Sequence, residues 1–250
     1  MKYLRITLVV IWKIWFYILV ALTTISVGIT IYILTYCKND KLSYFFIRLW
    51  SYILFYGIGF SYTLHSSEKL NPKENYILVS NHTSMIDIVL MFILHPQHPI
   101  VFVGKKELER YPVFGRIYKR ISILVDRSSK ESRGTVFSAV KKAITQRNKN
   151  IVLFSEGGVP DRDIVLGKFK DGAFVSSIYC NVPIVVYAVH NLKNMFPFVF
   201  TLGYPGRVKV ERLAILYPDE KETKDTLKEK TYNMIYERIK NDKIEYPEFK

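Results

Sequence analysis

A chain of 250 residues, 49% of them hydrophobic, is long enough for one substantial core beside a separate apolar N-terminus. Its net charge of +14 is concentrated in residues 66–218, a surface that attracts anionic lipid headgroups, phosphorylated substrates or an acidic carrier protein. Nucleic acid is excluded as a partner, since an apolar segment adjoins the basic region and no zinc spacing, RNA-binding signature or helix-turn-helix pattern accompanies the charge. Two cysteines, Cys37 and Cys180, are too few and too far apart for a disulfide framework or a metal site.

In chain order, the first predicted element is Ile14–Tyr36, 23 consecutive uncharged positions. As a helix it measures about 35 Å, against a hydrocarbon core of about 30 Å. It exceeds the apolar region of a secretory signal and lacks a small-residue cleavage site, so it reads as a retained membrane segment. A second apolar run, Leu49–Leu64, has 16 residues and is rich in aromatic rings. It is short for a span, and fits equally an interfacial, re-entrant or domain-packed segment. Three basic residues precede the first run and three follow it, so charge assigns no topology. The expected organisation is a membrane-embedded region of N-terminal helices over 1–65 and an α/β domain over 66–250.

From residue 66 onward, strand-like runs at Tyr76–Ser80, Ile100–Val103, Ile121–Val125, Ile151–Phe154, Pro183–Val189 and Val208–Ile215 alternate with helical patterns. The helical patterns lie at Ser84–Leu94, Pro112–Lys119, Lys130–Arg147 and Phe169–Tyr179, and the charged stretch Asp219–Lys240 predicts a last helix with a solvated face. This order predicts an α/β fold with a mostly parallel sheet flanked by helices. Most of the strands are apolar throughout, as strands buried on both faces are. His65, His95, His98 and His190 lack metal-ligand partners at ligand spacing, so no metal site is expected. His95 and His98 flank a proline turn and read as solvated.

In such sheets, functional groups collect where strands end. The first run leads into Asn81-His82-Thr83-Ser84-Met85-Ile86-Asp87, a histidine and a carboxylate five residues apart. On a continuous helix those side chains stand roughly 140° apart, so they meet only if His82 lies in the turn before the helix and Asp87 in its first turns. Asn81, Thr83 and Ser84 are candidate caps for that start. The third run ends in Asp126-Arg127 and the fourth in Ser155-Glu156-Gly157-Gly158, which places an arginine and an acidic glycine turn at the same sheet edge. Taken singly, the arginine fits a salt bridge and the turn fits a tight reversal; three such features at strand ends point to chemistry.

Several further blocks carry a family resemblance: Gly104-Lys105-Lys106-Glu107-Leu108 with Pro112-Val113-Phe114-Gly115, Leu124-Val125-Asp126-Arg127, Phe154 to Gly157, Phe169-Lys170-Asp171-Gly172-Ala173, and Val182-Pro183-Ile184. With the His82 to Asp87 block in order before them, the chain resembles the glycerolipid acyltransferases, most closely the bacterial 1-acyl-glycerol-3-phosphate acyltransferases. The resemblance spans about residues 76–190. It implies a glycerol-3-phosphate acyltransferase-like fold and transfer of an acyl group from acyl-CoA or acyl-ACP to lysophosphatidic acid. By resemblance His82 is the general base and Asp87 orients its ring, with no acyl-enzyme and no metal or organic cofactor. Arg127 is then the leading phosphate binder, Lys105 supports it, and Glu156 and Gly157 form a substrate-contacting turn. The family's Phe-Pro-Glu-Gly-Thr-Arg run stands here as Phe154-Ser155-Glu156-Gly157-Gly158-Val159, so the arginine after the turn is absent. Arg162, Lys168 or Lys170 are the cations that stand nearest to replace it. Implied partners are membrane lipids, lysophosphatidic acid and the thioester donor; the implied location is the cytoplasmic membrane, with the domain on the cytosolic side where the donors are found.

Overall fold

The computed structural model describes residues 2–66, 68–111, 114–126, 130–219 and 221–242. Two N-terminal helices, α1 (Lys2–Tyr36) and α2 (Asp40–Gly57), lead into β1 (Ser61–Ser66). Then follow β2 (Ile77–Ser80), α3 (Ile86–Leu94), β3 (Ile100–Lys105), a 3-10 turn (Lys106–Arg110), α4 (Phe114–Ile121), β4 (Ser122–Val125), α5 (Lys130–Arg147) and β5 (Asn150–Leu153). The chain closes with α6 (Gly172–Cys180), β6 (Ile184–Val189), α7 (Leu192–Met195), β7 (Arg207–Leu216) and α8 (Lys224–Ile239).

The seven strands form one sheet in the order β1-β7-β6-β2-β5-β3-β4. Five of them run parallel, and β7 turns back antiparallel to β6 with β1 parallel to β7 at the edge. The alternation of side chains along the central strands splits the core into two layers. Leu78, Val185, Tyr187 and Val189 face α1, α2 and α3 through Phe16, Leu54, Phe55 and Leu90. Ile77, Val79, Val186 and Ala188 face α5, α6 and α8 through Val140, Phe174 and Ile235. Helices on both faces explain why β2 and β6 are apolar at nearly every position. Every strand and helix expected after residue 66 is present, within a few residues at each end.

The run Leu49–Leu64 is not one element. Asn39 caps α2 by accepting from the Leu42 N–H, and the helix ends at Gly57. Gly59 has φ +81°, a conformation open to glycine, and the reversal it makes delivers Ser61 to the sheet. Polar side chains of α2 face the domain: the Tyr44 hydroxyl donates to the His95 carbonyl at 2.7 Å and Arg48 Nε donates to the Phe92 carbonyl at 3.3 Å. Within the run, Leu54, Phe55, Ile58 and Phe60 are buried in the core, so it lies against the domain, and β1 crosses the expected boundary at residue 65.

Helix α1 is long and apolar enough to cross a membrane. Phe16, Leu19 and Ile31 are buried on the domain, while Leu4, Leu8, Ile11, Trp15, Ile18, Leu22, Ile25, Ile29 and Ile33 are exposed. Those exposed positions recur every three or four residues, so they form one continuous apolar stripe. The indoles of Trp12 and Trp15 donate to the Ile58 and Gly57 carbonyls at 2.9 Å, which tie α1 to the end of α2.

Candidate active site

The site is built where β2, β5 and β6 end. Asn81 continues β2 and clips it to β6: its amide N–H donates to the Val189 carbonyl at 2.8 Å, and its Oδ1 accepts from the Val189 N–H at 2.9 Å. Asn81 is thus a strand bridge and not the helix cap its residue type predicts. Beyond it the backbone turns through Thr83 and Ser84, and α3 begins at Ile86. His82 lies before the helix and Asp87 in its first turn, the only placement in which the two can meet.

They do meet. Asp87, 1% exposed, accepts His82 Nδ1–H at 2.9 Å, and the same oxygen accepts the backbone N–H groups of Thr83 at 2.6 Å and Ser84 at 2.9 Å. Thr83 Oγ1 donates to its other oxygen at 3.2 Å. Four donors converge on one buried carboxylate, which orients the imidazole with Nδ1 toward it. With Nδ1–H given to Asp87, Nε2 is the ring nitrogen left to accept from an incoming hydroxyl. Phe154, the first residue past β5, stacks on the ring at 4.1 Å between centroids and 8° between planes. The ring orientation is therefore set by a hydrogen bond at one edge and an aromatic face beside it.

Glu156 reaches the same loop from the other side. Its Oε1 accepts the His82 backbone N–H and its Oε2 accepts the Gly167 N–H, each at 2.6 Å. Both oxygens are committed to backbone donors, so Glu156 clamps the histidine loop to the glycine-rich loop. Burial pushes its carboxyl up to about 7, against the opposing pull of those donors, His82 and Lys193. Gly157 has φ +78°, and a Cβ there would stand 2.7 Å from the aliphatic arm of Lys170. The Lys170 backbone N–H also donates to the Ser155 carbonyl at 2.7 Å, so the loop closes on its own start.

The remaining cations are more dispersed. Lys105 is exposed at the end of β3, in register with Val125 of β4. Arg127, two residues beyond Val125, lies outside the described residues. Lys168 and Lys170 are exposed and Arg162 is half-buried, all on the loop that follows Glu156. His95 and His98 are buried, in contrast to their expected solvation: His95 donates from Nδ1 to the Met91 carbonyl at 2.8 Å and accepts the Tyr187 hydroxyl on Nε2 at 2.9 Å. Burial lowers the His95 pKa to about 4, so it is a neutral structural residue. His190 likewise has partners that sequence spacing does not show, Glu211 at 2.9 Å and Asp242 at 3.1 Å.

One residue of the site lies outside the sequence blocks. Lys193 in α7 donates from Nζ to the Asp161 carbonyl at 2.8 Å and to the Ile164 carbonyl, pinning the middle of the long loop. Its signal was its position just past the end of β6, the same criterion that marks His82 and Glu156. Ser84 Oγ donates to the Phe196 carbonyl at 2.8 Å, so this hydroxyl supports the loop and is not presented as a nucleophile.

A half-buried histidine with a buried carboxylate behind it, at the end of a parallel sheet, is an arrangement suited to removing a proton from a hydroxyl. The acyltransferase family model matches residues 61–190, which include this pair and the Glu156 turn. The chain belongs to the acyltransferase family. It is 35% identical over 125 residues to the 1-acyl-sn-glycerol-3-phosphate acyltransferase of Salmonella typhimurium, covering 48% of this chain and 50% of the relative. It is 33% identical over 121 residues to the Escherichia coli protein of the same name, covering 48% and 49%. The chain thus matches about half the length of these curated relatives. In fold it is similar to the crystal structure of the 1-acyl-sn-glycerophosphate acyltransferase PlsC from Thermotoga maritima, with a TM-score of 0.79, 17% identity, and 99% of this chain and 100% of that chain covered.

Proposed function

We propose that this chain transfers a fatty acyl group from an acyl thioester to the sn-2 hydroxyl of 1-acyl-glycerol-3-phosphate, giving phosphatidic acid. The observation that carries the reading is the His82–Asp87 pair, with Nδ1 committed to the carboxylate and Nε2 available. In this reading the acceptor hydroxyl gives its proton to Nε2 as its oxygen bonds to the thioester carbonyl carbon. The carbon–sulfur bond then breaks, and the departing thiolate takes the proton back from the imidazolium. Asp87 stabilises the transient positive charge, and neither an acyl-enzyme nor a cofactor is required.

Lys105 and Arg127 are the proposed phosphate binders, with Arg162, Lys168 and Lys170 on the following loop as a supplementary set. Glu156 and Gly157 act by shaping the turn beside the substrate, since both Glu156 oxygens hold backbone N–H groups. The lipid partner fits the exposed apolar stripe of α1, which we take as a membrane-associating face; the donors, acyl-CoA or acyl-ACP, place the domain on the cytosolic side. A second reading keeps the chemistry and changes the acceptor to another lysophospholipid or glycerol 3-phosphate. Gly158 and Val159, which supply no charge where the family pattern has arginine, favour the lysophospholipid with another headgroup and not glycerol 3-phosphate, which carries the same phosphate.

The test is acyl transfer by purified protein to lysophosphatidic acid, glycerol 3-phosphate and neutral lysophospholipids, with each thioester donor. The expected result is turnover with lysophosphatidic acid, lost by about 10³-fold in His82→Ala, within the range for removing a general base. Equal turnover of variant and parent would remove His82 from the mechanism, and preference for another acceptor would select the second reading.

A further inference from the structure

Lys13 is the only charged side chain between Arg5 and Lys38, in the middle of an otherwise apolar helix. It does not reach water: its exposure is 2%. Among the described residues no carboxylate pairs with it. An ammonium group buried without a counter-charge is costly, so its place is informative. Nζ donates to the Pro197 carbonyl and lies 3.8 Å from the centroid of the Phe196 ring. The same ring is held edge-on by Trp12 at 5.3 Å and Phe16 at 4.7 Å, both from α1. The Phe196 carbonyl, in turn, is the acceptor for Ser84 Oγ, and the Ser84 N–H is one of the donors that hold Asp87.

We infer that Lys13 is a positioning residue for the reaction proposed above: it clamps the Phe196–Pro197 turn onto α1, and through Phe196 and Ser84 sets the loop that carries His82 and Asp87. The inference rests on that functional reading. The clamp links the apolar helix to the catalytic loop through two peptide carbonyls and no flexible side-chain chain longer than the lysine itself. It also gives a reason for a cation on this face of α1, where an apolar residue would pack at lower cost but would offer nothing to a carbonyl oxygen.

The test uses the full chain with Lys13→Met, Ser84→Ala, the double variant and Lys13→Arg, assayed with lysophosphatidic acid and the preferred donor. Each of the first two singles is expected to lower kcat by about tenfold with KM changed less than about twofold, and the double variant to fall no further than the worse single, as coupled positions do. Lys13→Arg, which keeps a cation for the carbonyl and the ring, is expected to recover most of kcat. Multiplicative losses in the double variant, or an unchanged kcat in a folded Lys13→Met, overturn the inference. If Lys13→Met does not fold by circular dichroism, Lys13→Gln, with a shorter uncharged arm, takes its place under the same expectations. An inactive parent overturns the transferase reading and this inference with it; an active parent with an insensitive Lys13 overturns the inference alone.

Discussion

Because each oxygen of Glu156 accepts a backbone N–H, a glutamine at this position would turn an amide N–H₂ toward one of two donors. Glu156→Gln is expected to cost about 2 kcal/mol, the scale of a lost charge-assisted hydrogen bond, read as a fall in urea unfolding free energy. The parent should also carry a pH signature. Its Glu156 pKa is raised from 4.5 to about 7, so between those values the folded state holds a proton that the unfolded state has released. The Glu156 contribution to stability should therefore fall as pH rises through that window, by up to about 1.4 kcal/mol per unit, and level off above it, while buried His95, with its pKa lowered to about 4, contributes the opposite slope below its free value. The difference in unfolding free energy between parent and Glu156→Gln, taken at pH 5 and at pH 8, isolates this contribution, and it should favour the parent more at pH 5 than at pH 8. At this scale the contact of His82 with Asp87 was legible in the sequence, because a strand end followed by a helix start fixes where the two can go. The role of Glu156 was not, since its two acceptors pair with backbone groups 74 and 11 residues away.

The element that most shapes the site is the long loop between β5 and α6. It has little regular structure, and the contacts that hold it include Glu156 to the Gly167 N–H, Lys170 N–H to Ser155, burial of Leu166, and, in its middle, Lys193 to the Asp161 and Ile164 carbonyls. Replacing Lys193 by methionine removes the central one. Lys193→Met is expected to make the parent's Arg162 and Lys168 bonds cleave several-fold faster with trypsin, while the sheet remains resistant, since proteolysis follows local opening. Equal cleavage rates in variant and parent would refute the loop-pinning role. The strands around this loop were readable as apolar runs bounded by turns. The division of Leu49–Leu64 into the end of α2 and β1 was not, because Gly57 and Gly59 interrupt a run that is apolar on both sides.

For the whole molecule, the two N-terminal helices serve two faces at once. Phe16, Leu19, Leu54 and Phe55 belong to the core under the sheet, whereas Leu22, Ile25 and Ile29 point outward. Serine at these last three positions is expected to leave the thermal transition in detergent nearly unchanged and to sharply reduce sedimentation with lipid vesicles, given about 1.5–3 kcal/mol for each buried aliphatic side chain. Deleting residues 1–65 is expected to do something different. It removes most of edge strand β1 and part of the core, so the remainder should lose cooperative unfolding, and loss of activity at that cut would report the fold.

The edge strand also fixes an order of events. Ser66 of β1 and Arg212 of β7 are 146 residues apart in the chain, yet they face each other in the sheet. During synthesis α1, α2 and β1 emerge long before the strand that completes their side of the molecule. For most of that interval their apolar surfaces have no sheet to rest on, the situation in which unfinished chains associate with one another. Refolding from denaturant without detergent or lipid is expected to end in light-scattering aggregate, and addition of either before dilution is expected to restore soluble protein.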